Sequence, residues 1–99
     1  MNIPKFFKVF GLKVKVKIDD NLPLNVAGQY EHAKSLISIN SLHDTDDELL
    51  HTLFHELSHC MFNRVSINQA ISFEVNEYIC NNMATMLIEN FDIKPKVKK

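Results

Sequence analysis

The hydrophobic periodicity of this chain changes near Asp44, and that change limits the folds available to it. Before Asp44, apolar residues alternate with polar ones, as in residues 12 to 18, where leucine, valines and isoleucine alternate with lysines. A period of two is typical of a β-strand with one face buried. After Asp44, apolar residues recur at spacings of three and four, the period of an amphipathic helix. Strands followed by helices predict an α+β fold.

The first part of the chain predicts a small antiparallel or mixed sheet of three strands within residues 6 to 40. The first strand is expected over residues 6 to 18, before a polar segment that ends at Pro23. The second is expected over Val26–His32 and the third over Leu36–Asn40. Because a short polar turn separates these two, they are predicted to form an antiparallel hairpin.

Two packed helices are predicted after the sheet. The first runs from about residue 46 to residue 63, because Thr45 and Glu48 have the spacing of a capping box. The second runs from about residue 69 to residue 90, with Ser66 and Gln69 as a second possible capping box. The apolar side of the first helix is predicted to contain Leu49, Leu50, Leu53, Leu57, Cys60 and Met61. The buried stripe of the second is predicted to contain Val75, Ile79, Met83, Met86 and Leu87.

Length and charge restrict the function classes. A chain of 99 residues is expected to form one domain, residues 1–99. The formal net charge of −1 argues against a dedicated nucleic-acid binder, which needs a strong basic field. No signal peptide and no apolar run of membrane-spanning length are recognised, so a cytoplasmic location and two free thiols are expected. Cys60 follows His59 directly and points about 100° away from it on a helix, so Cys60 is interpreted as a small buried residue.

The residues with the clearest chemistry are His55–His59, which have the pattern His-Glu-x-x-His in the middle of the first predicted helix. Residues four apart lie on the same face of a helix, so His55 and His59 can present two imidazole nitrogens to one zinc ion. Glu56 lies at the flank of that site, where it can take a proton from a zinc-bound water as the general base. Nitrogen and carboxylate ligands also accept other transition metals.

A third ligand is required, since a catalytic zinc usually has three protein ligands and one water. Val65 stands six residues after the motif, where a third histidine would be needed for a three-histidine site. Carboxylates on the second helix remain, and Glu77 is preferred over Glu74 because it lies at the edge of the predicted buried stripe. Asn81, one turn further on, is a candidate to hydrogen-bond one of the ligands.

Other predictions concern the substrate and the transition state. The strand Leu36–Asn40 is predicted to be an exposed sheet edge that holds a peptide as an added strand. His51 lies one turn before His55 and is an alternative ligand, although a surface histidine is the preferred interpretation. Four further side chains are candidates to stabilise a tetrahedral intermediate: Tyr30, His32, His43 and Tyr78.

The stretch Thr52–His59 resembles the core of small phage and prophage metallopeptidases of the gluzincin type, with the ImmA/IrrE-type peptidases as more distant relatives. The resemblance covers about residues 26 to 92 and implies a minimal zincin-like fold, in which a short sheet precedes the motif helix and a following helix supplies a glutamate. It implies zinc as the cofactor and a hydrolase with a peptide or protein substrate. It also implies the site residues: zinc ligands His55, His59 and Glu77, with Glu56 as the general base. Position 81 is Asn, where many gluzincins have Asp.

The predicted function is therefore a zinc-dependent metallopeptidase. The alternative is a non-catalytic regulatory or interaction module that binds a metal on the same fold. A purely structural zinc site is a third interpretation, but such sites usually use several thiolates, and Cys80 is the only suitable thiol.

Overall fold

The strands and helices are described by a computed structural model that covers residues 3–65 and 70–91. Their order confirms the predicted α+β fold, with all strands preceding both helices. The elements are β1 (Phe6–Val9), β2 (Leu12–Asp19), β3 (Gly28–Glu31), β4 (Leu36–Asn40), α1 (Asp46–Arg64) and α2 (Phe73–Asn90).

The sheet has four strands, and the prediction of three was wrong because residues 6 to 18 fold back on themselves. Phe10 and Gly11 have φ angles of 50° and 80° and form the two-residue turn between β1 and β2. Two successive positive φ angles give the turn a twist that matches the twist of hairpin strands. Strand-forming residues lie on both sides of this turn, and the isolated Gly11 was the signal for it in the sequence.

The strand order is β1-β2-β4-β3, with β2 and β4 parallel and the other pairs antiparallel. The predicted hairpin of β3 and β4 is confirmed. The prediction that Leu36–Asn40 forms an exposed edge was wrong, because this strand lies between β2 and β3. Its residues Ile37, Ser38, Ile39 and Asn40 are all at most 3% exposed, as expected for a central strand. The edge next to β4 is β3.

The hydrophobic core lies between the sheet and α1. The buried residues come from β2, β4 and α1, and they are Val14, Val16, Ile37, Ile39, Leu50, Leu53 and Cys60. The prediction of Cys60 as a small buried residue is confirmed, since its exposure is 0%. Helix α1 therefore has one face fixed on the sheet, while another face remains available to α2.

The first helix matches its predicted bounds to within one residue, whereas the second begins later than predicted. The hydroxyl of Thr45 caps α1 by accepting a hydrogen bond from the backbone N–H of Glu48, at 3.1 Å. Ser72 caps α2 by accepting one from the N–H of Val75, at 3.2 Å. The predicted capping box at residues 66 and 69 lies outside the described residues. Neither helix in the described part has the length and apolarity needed to cross a membrane.

The buried face of α2 differs from the predicted stripe. Val75 and Met86 are 46% and 49% exposed, whereas the buried positions are Asn76, Cys80 and Ala84. The two faces differ by about 100°, the angle between consecutive helix positions. Small and polar residues on this buried face permit a close approach of α2 to α1. Glu77, which directly follows Asn76, is thereby placed beside the histidines of the motif.

Candidate metal centre

Three side chains from two helices converge at the middle of α1. His55 and His59 lie one turn apart on α1, and Glu77 faces them from α2. The Nε2 atom of His59 is 2.6 Å from Oε1 of Glu77, and the Nε2 atom of His55 is 3.2 Å from Oε2. The two Nε2 atoms are 3.1 Å apart. Glu74, the alternative candidate, is exposed and does not belong to this group.

The spacing of these atoms fits a metal ion. In a tetrahedral zinc site with bonds of about 2.0–2.1 Å, neighbouring ligand atoms are about 3.3 Å apart. The three separations between His55, His59 and Glu77 lie between 2.6 and 3.2 Å. Two imidazole nitrogens whose lone pairs face each other repel unless a proton or a cation lies between them. Two nitrogens and one carboxylate also form a known ligand set of catalytic zinc sites.

Burial favours the form of His55 that a metal requires. It is the main cause that lowers the pKa of His55, and the nearby charge of Glu77 only partly opposes it. A lowered pKa favours the neutral imidazole, and only the neutral ring has a free nitrogen lone pair for a metal.

Glu56 lies beside this cluster and is itself buried, with an exposure of 7%. Burial, followed by the charge of Glu77, raises its pKa from an ordinary value of 4.5 to about 7. Such a carboxyl group exchanges its proton readily at neutral pH, as a general base must. Strand β3 leaves room for it, because a Cβ atom at Gly28 would lie 2.6 Å from Cγ2 of Thr52 and 3.4 Å from Cγ of Glu56.

Cys80 lies behind His59 rather than among the converging atoms. Its Sγ atom is 3.6 Å from Nδ1 of His59, the ring nitrogen that faces away from Glu77. Burial, with the charges of Glu77 and Glu56, raises the pKa of this thiol to about 12, so it stays protonated. The one thiol available for a structural zinc site is thus outside the cluster.

The cluster forms part of a cleft between β3 and α2. The cavity has a volume of about 680 Å³, and its lining includes His55, Glu56, His59 and Glu77, together with residues 25 to 30 of the sheet edge. A volume of this size is typical of a ligand site. A second cavity of about 510 Å³ adjoins it and shares His51 with it.

The other candidate side chains are distributed around this cleft. Tyr30 and His51 line it, whereas Tyr78 is 73% exposed and lies outside its lining. His51 contacts the hydroxyl of Thr85 through Nε2 at 3.0 Å and lies outside the cluster of candidate ligands. His43 is held by Thr52, through a contact of 2.9 Å between Nε2 and Oγ1.

Two of the candidate donors contact each other at the edge strand. The hydroxyl oxygen of Tyr30 is 2.8 Å from Nδ1 of His32. His32 itself does not contribute to the lining of the cleft. Asn81 lines the cleft one turn after Glu77, but the contact with Nδ1 of His59 is made by its neighbour Cys80.

The raised pKa of Glu56 has a consequence for the metal-free protein. Because the folded state holds a proton that the unfolded state releases, the contribution of Glu56 to wild-type stability is highest below pH 4.5. It falls as the pH rises to about 7 and then stays low. Glutamine does not ionise, so the free energy of unfolding of Glu56→Gln should rise relative to that of wild type by about 3 kcal/mol between pH 4 and pH 8.

Urea unfolding in the presence of a chelator, at pH 4, 6 and 8, measures this difference. Glu89→Gln, which alters an exposed carboxylate on α2, is the matched control and should show no such widening. A difference between Glu56→Gln and wild type that stays constant with pH would contradict the expectation.

The arrangement of side chains carries the functional argument for this chain. Two imidazoles, a carboxylate and a buried carboxyl group lie together at one cleft. These are the groups that metal-assisted hydrolysis uses. A scan against protein-family models and searches of the curated proteins and of the solved structures gave no match.

Proposed function

We propose that the protein is a zinc-dependent metallopeptidase in which His55, His59 and Glu77 bind the metal. Glu56 is the general base. The observation that carries the proposal is the convergence of two Nε2 atoms, 3.1 Å apart, on the carboxylate of Glu77, whose oxygens lie 2.6 Å and 3.2 Å from them, beside a buried carboxyl group and in an open cleft. Zinc is preferred because this ligand set is that of catalytic zinc sites.

The chemistry divides between the metal and Glu56. When bound, zinc would supply Lewis acidity to a water and to the carbonyl group of the substrate. Glu56 accepts a proton from that water as the water oxygen attacks the carbonyl carbon. The same carboxyl group then donates the proton to the leaving amine. Without metal, burial and the charge of Glu77 raise the pKa of Glu56 to about 7, and the positive charge of a bound zinc would favour the carboxylate form that accepts the proton.

The open edge of β3 is the proposed binding surface for the peptide, in place of β4. On an antiparallel strand, successive residues direct their backbone groups alternately toward the partner strand and away from it. The N–H of Asn40 donates to the carbonyl of Ala27 at 2.8 Å, so Ala27 faces β4. Gly28 and Tyr30 therefore direct their backbone groups outward, where an extended peptide can pair with them. Gly28 also borders Glu56, which brings such a peptide to the general base.

Cleavage of unstructured peptides tests the proposal directly. The zinc-loaded protein is incubated with a mixture of peptides of varied sequence, and the products are identified by mass spectrometry. Cleavage is expected with zinc, should stop when a chelator removes the metal, and should return when zinc is restored. Stoichiometric zinc without cleavage of any peptide would instead favour the non-catalytic metal-binding module.

A further inference from the structure

The side of His59 that faces away from the cluster rests against two covered residues of α2. The Sγ atom of Cys80 lies 3.6 Å from Nδ1 of His59 and 3.3 Å from Oδ1 of Asn76. Cys80 is 0% exposed and Asn76 is 7% exposed, so water has little access to this contact. The three groups form a chain from the ring into the interface between the helices.

The chemistry of these groups determines the direction of the hydrogen bonds. An amide oxygen only accepts, so the thiol of Cys80 donates its hydrogen to Oδ1 of Asn76. The sulfur is then left to accept from His59, which requires a hydrogen on Nδ1. A neutral imidazole with its hydrogen on Nδ1 has a free lone pair on Nε2. Nε2 is the atom that faces Glu77 and His55.

We propose that Cys80 and Asn76 are positioning residues, which hold His59 in the Nδ1-protonated form and fix the orientation of its ring for metal binding. The inference rests on the proposed metal site. The outward nitrogen of a ligating histidine usually donates to a carboxylate, a backbone carbonyl or a water. Here a thiol and an amide take that place.

The charges around Cys80 explain why a neutral acceptor is suited to this position. Glu77 and Glu56 both act electrostatically on Cys80. A third carboxylate at this point would be buried next to two others, and like charges at short range are destabilising. A thiol accepts the hydrogen bond of His59 without adding charge. It is also small enough for the close packing of α2 on α1.

Substitutions that separate hydrogen bonding from packing test the proposal. Cys80→Ala removes the acceptor, whereas Cys80→Ser keeps a group that both donates and accepts. Loss of such an outer contact typically weakens metal binding 10- to 100-fold. We therefore expect zinc affinity, measured by competition with a chelating dye, to fall by about that factor in Cys80→Ala. Cys80→Ser should recover most of the loss, and Asn76→Ala should give a smaller loss.

A spectroscopic readout reports the tautomer independently of activity. In the zinc-loaded protein with ¹⁵N-labelled histidine, Nδ1 of His59 should carry a slowly exchanging hydrogen. Its exchange with water should accelerate at least about tenfold in Cys80→Ala, since protection depends on the buried hydrogen bond. Cys60→Ala, which removes the other buried thiol, is the control and should leave both zinc affinity and this exchange rate unchanged.

The outcomes distinguish this inference from the proposed function. Equal zinc affinities for Cys80→Ala and wild type would overturn the positioning role alone. Equal losses of zinc affinity in Cys80→Ala and Cys80→Ser would do the same. Failure of the wild-type protein to bind zinc would overturn the metal site and the positioning role together. Reduced affinity with rescue by serine supports the positioning role even if no peptide is cleaved.

Discussion

Glu56→Gln is expected to reduce peptide hydrolysis between about 100-fold and 10,000-fold, the range that general acid–base catalysis contributes, while zinc binding persists. The variant removes the proton acceptor and keeps the size and shape of the side chain. Glu56 does not belong to the group of converging ligand atoms, which consists of His55, His59 and Glu77. The loss should therefore appear in the turnover rate and leave the metal content unchanged.

Metal analysis and hydrolysis assays on the same preparation check this expectation. Glu89→Gln is the matched control, because it makes the same chemical change at an exposed position of α2 and should retain wild-type rates. Full activity in Glu56→Gln would exclude the proposed general base. If the biological function persists in a variant without hydrolytic activity, the metal-binding regulatory module becomes the better interpretation.

The parts of the fold that the sequence predicted well are those with strong local signals. Helix α1 has a capping residue, Thr45, and a clear apolar period, and its bounds match to within one residue. The relation between His55 and His59 follows from helix geometry alone, since four residues make about one turn. Local sequence patterns were sufficient for these features, because none of them depends on which distant segment of the chain packs against the helix.

The errors in the sheet arose where pairing between distant segments decides the outcome. The alternation of Ile37 and Ile39 with Ser38 and Asn40 indicates a strand, but it does not reveal whether that strand lies at an edge or in the centre of the sheet. In the structure β2 pairs in parallel with this strand and covers the side that was expected to be open. No local pattern specifies such a pairing, so the open edge was assigned to β4 instead of β3.

The face of α2 was misassigned for a different reason. The prediction followed the apolar residues that recur at spacings of three and four, yet Val75 and Met86 are about half exposed. What the neighbouring helix requires is close approach, and the small residues Cys80 and Ala84 provide it. The same rotation explains why Cys80 was not recognised as a partner of His59. Its contact depends on the packing of two helices and not on sequence spacing.

The second large effect concerns Glu77, the proposed third ligand. Glu77→Ala is expected to weaken zinc binding more than about 100-fold, since removal of a ligand exceeds the 10- to 100-fold effect of losing an outer contact. The fold should persist, because the side chain of Glu77 is 42% exposed and contributes little to the core. Two histidines would then remain, which is fewer protein ligands than a catalytic zinc site uses.

Glu74→Ala is the matched control for Glu77→Ala. It removes a carboxylate three residues earlier on α2, at an exposed position outside the converging group. Zinc titration and thermal unfolding with and without zinc measure both variants, because a ligand that binds only the folded state stabilises it. Wild type and Glu74→Ala should be stabilised by zinc, and Glu77→Ala should not be. The reverse result would make Glu74 the ligand, and equal stabilisation of both variants would show that zinc binding does not require Glu77.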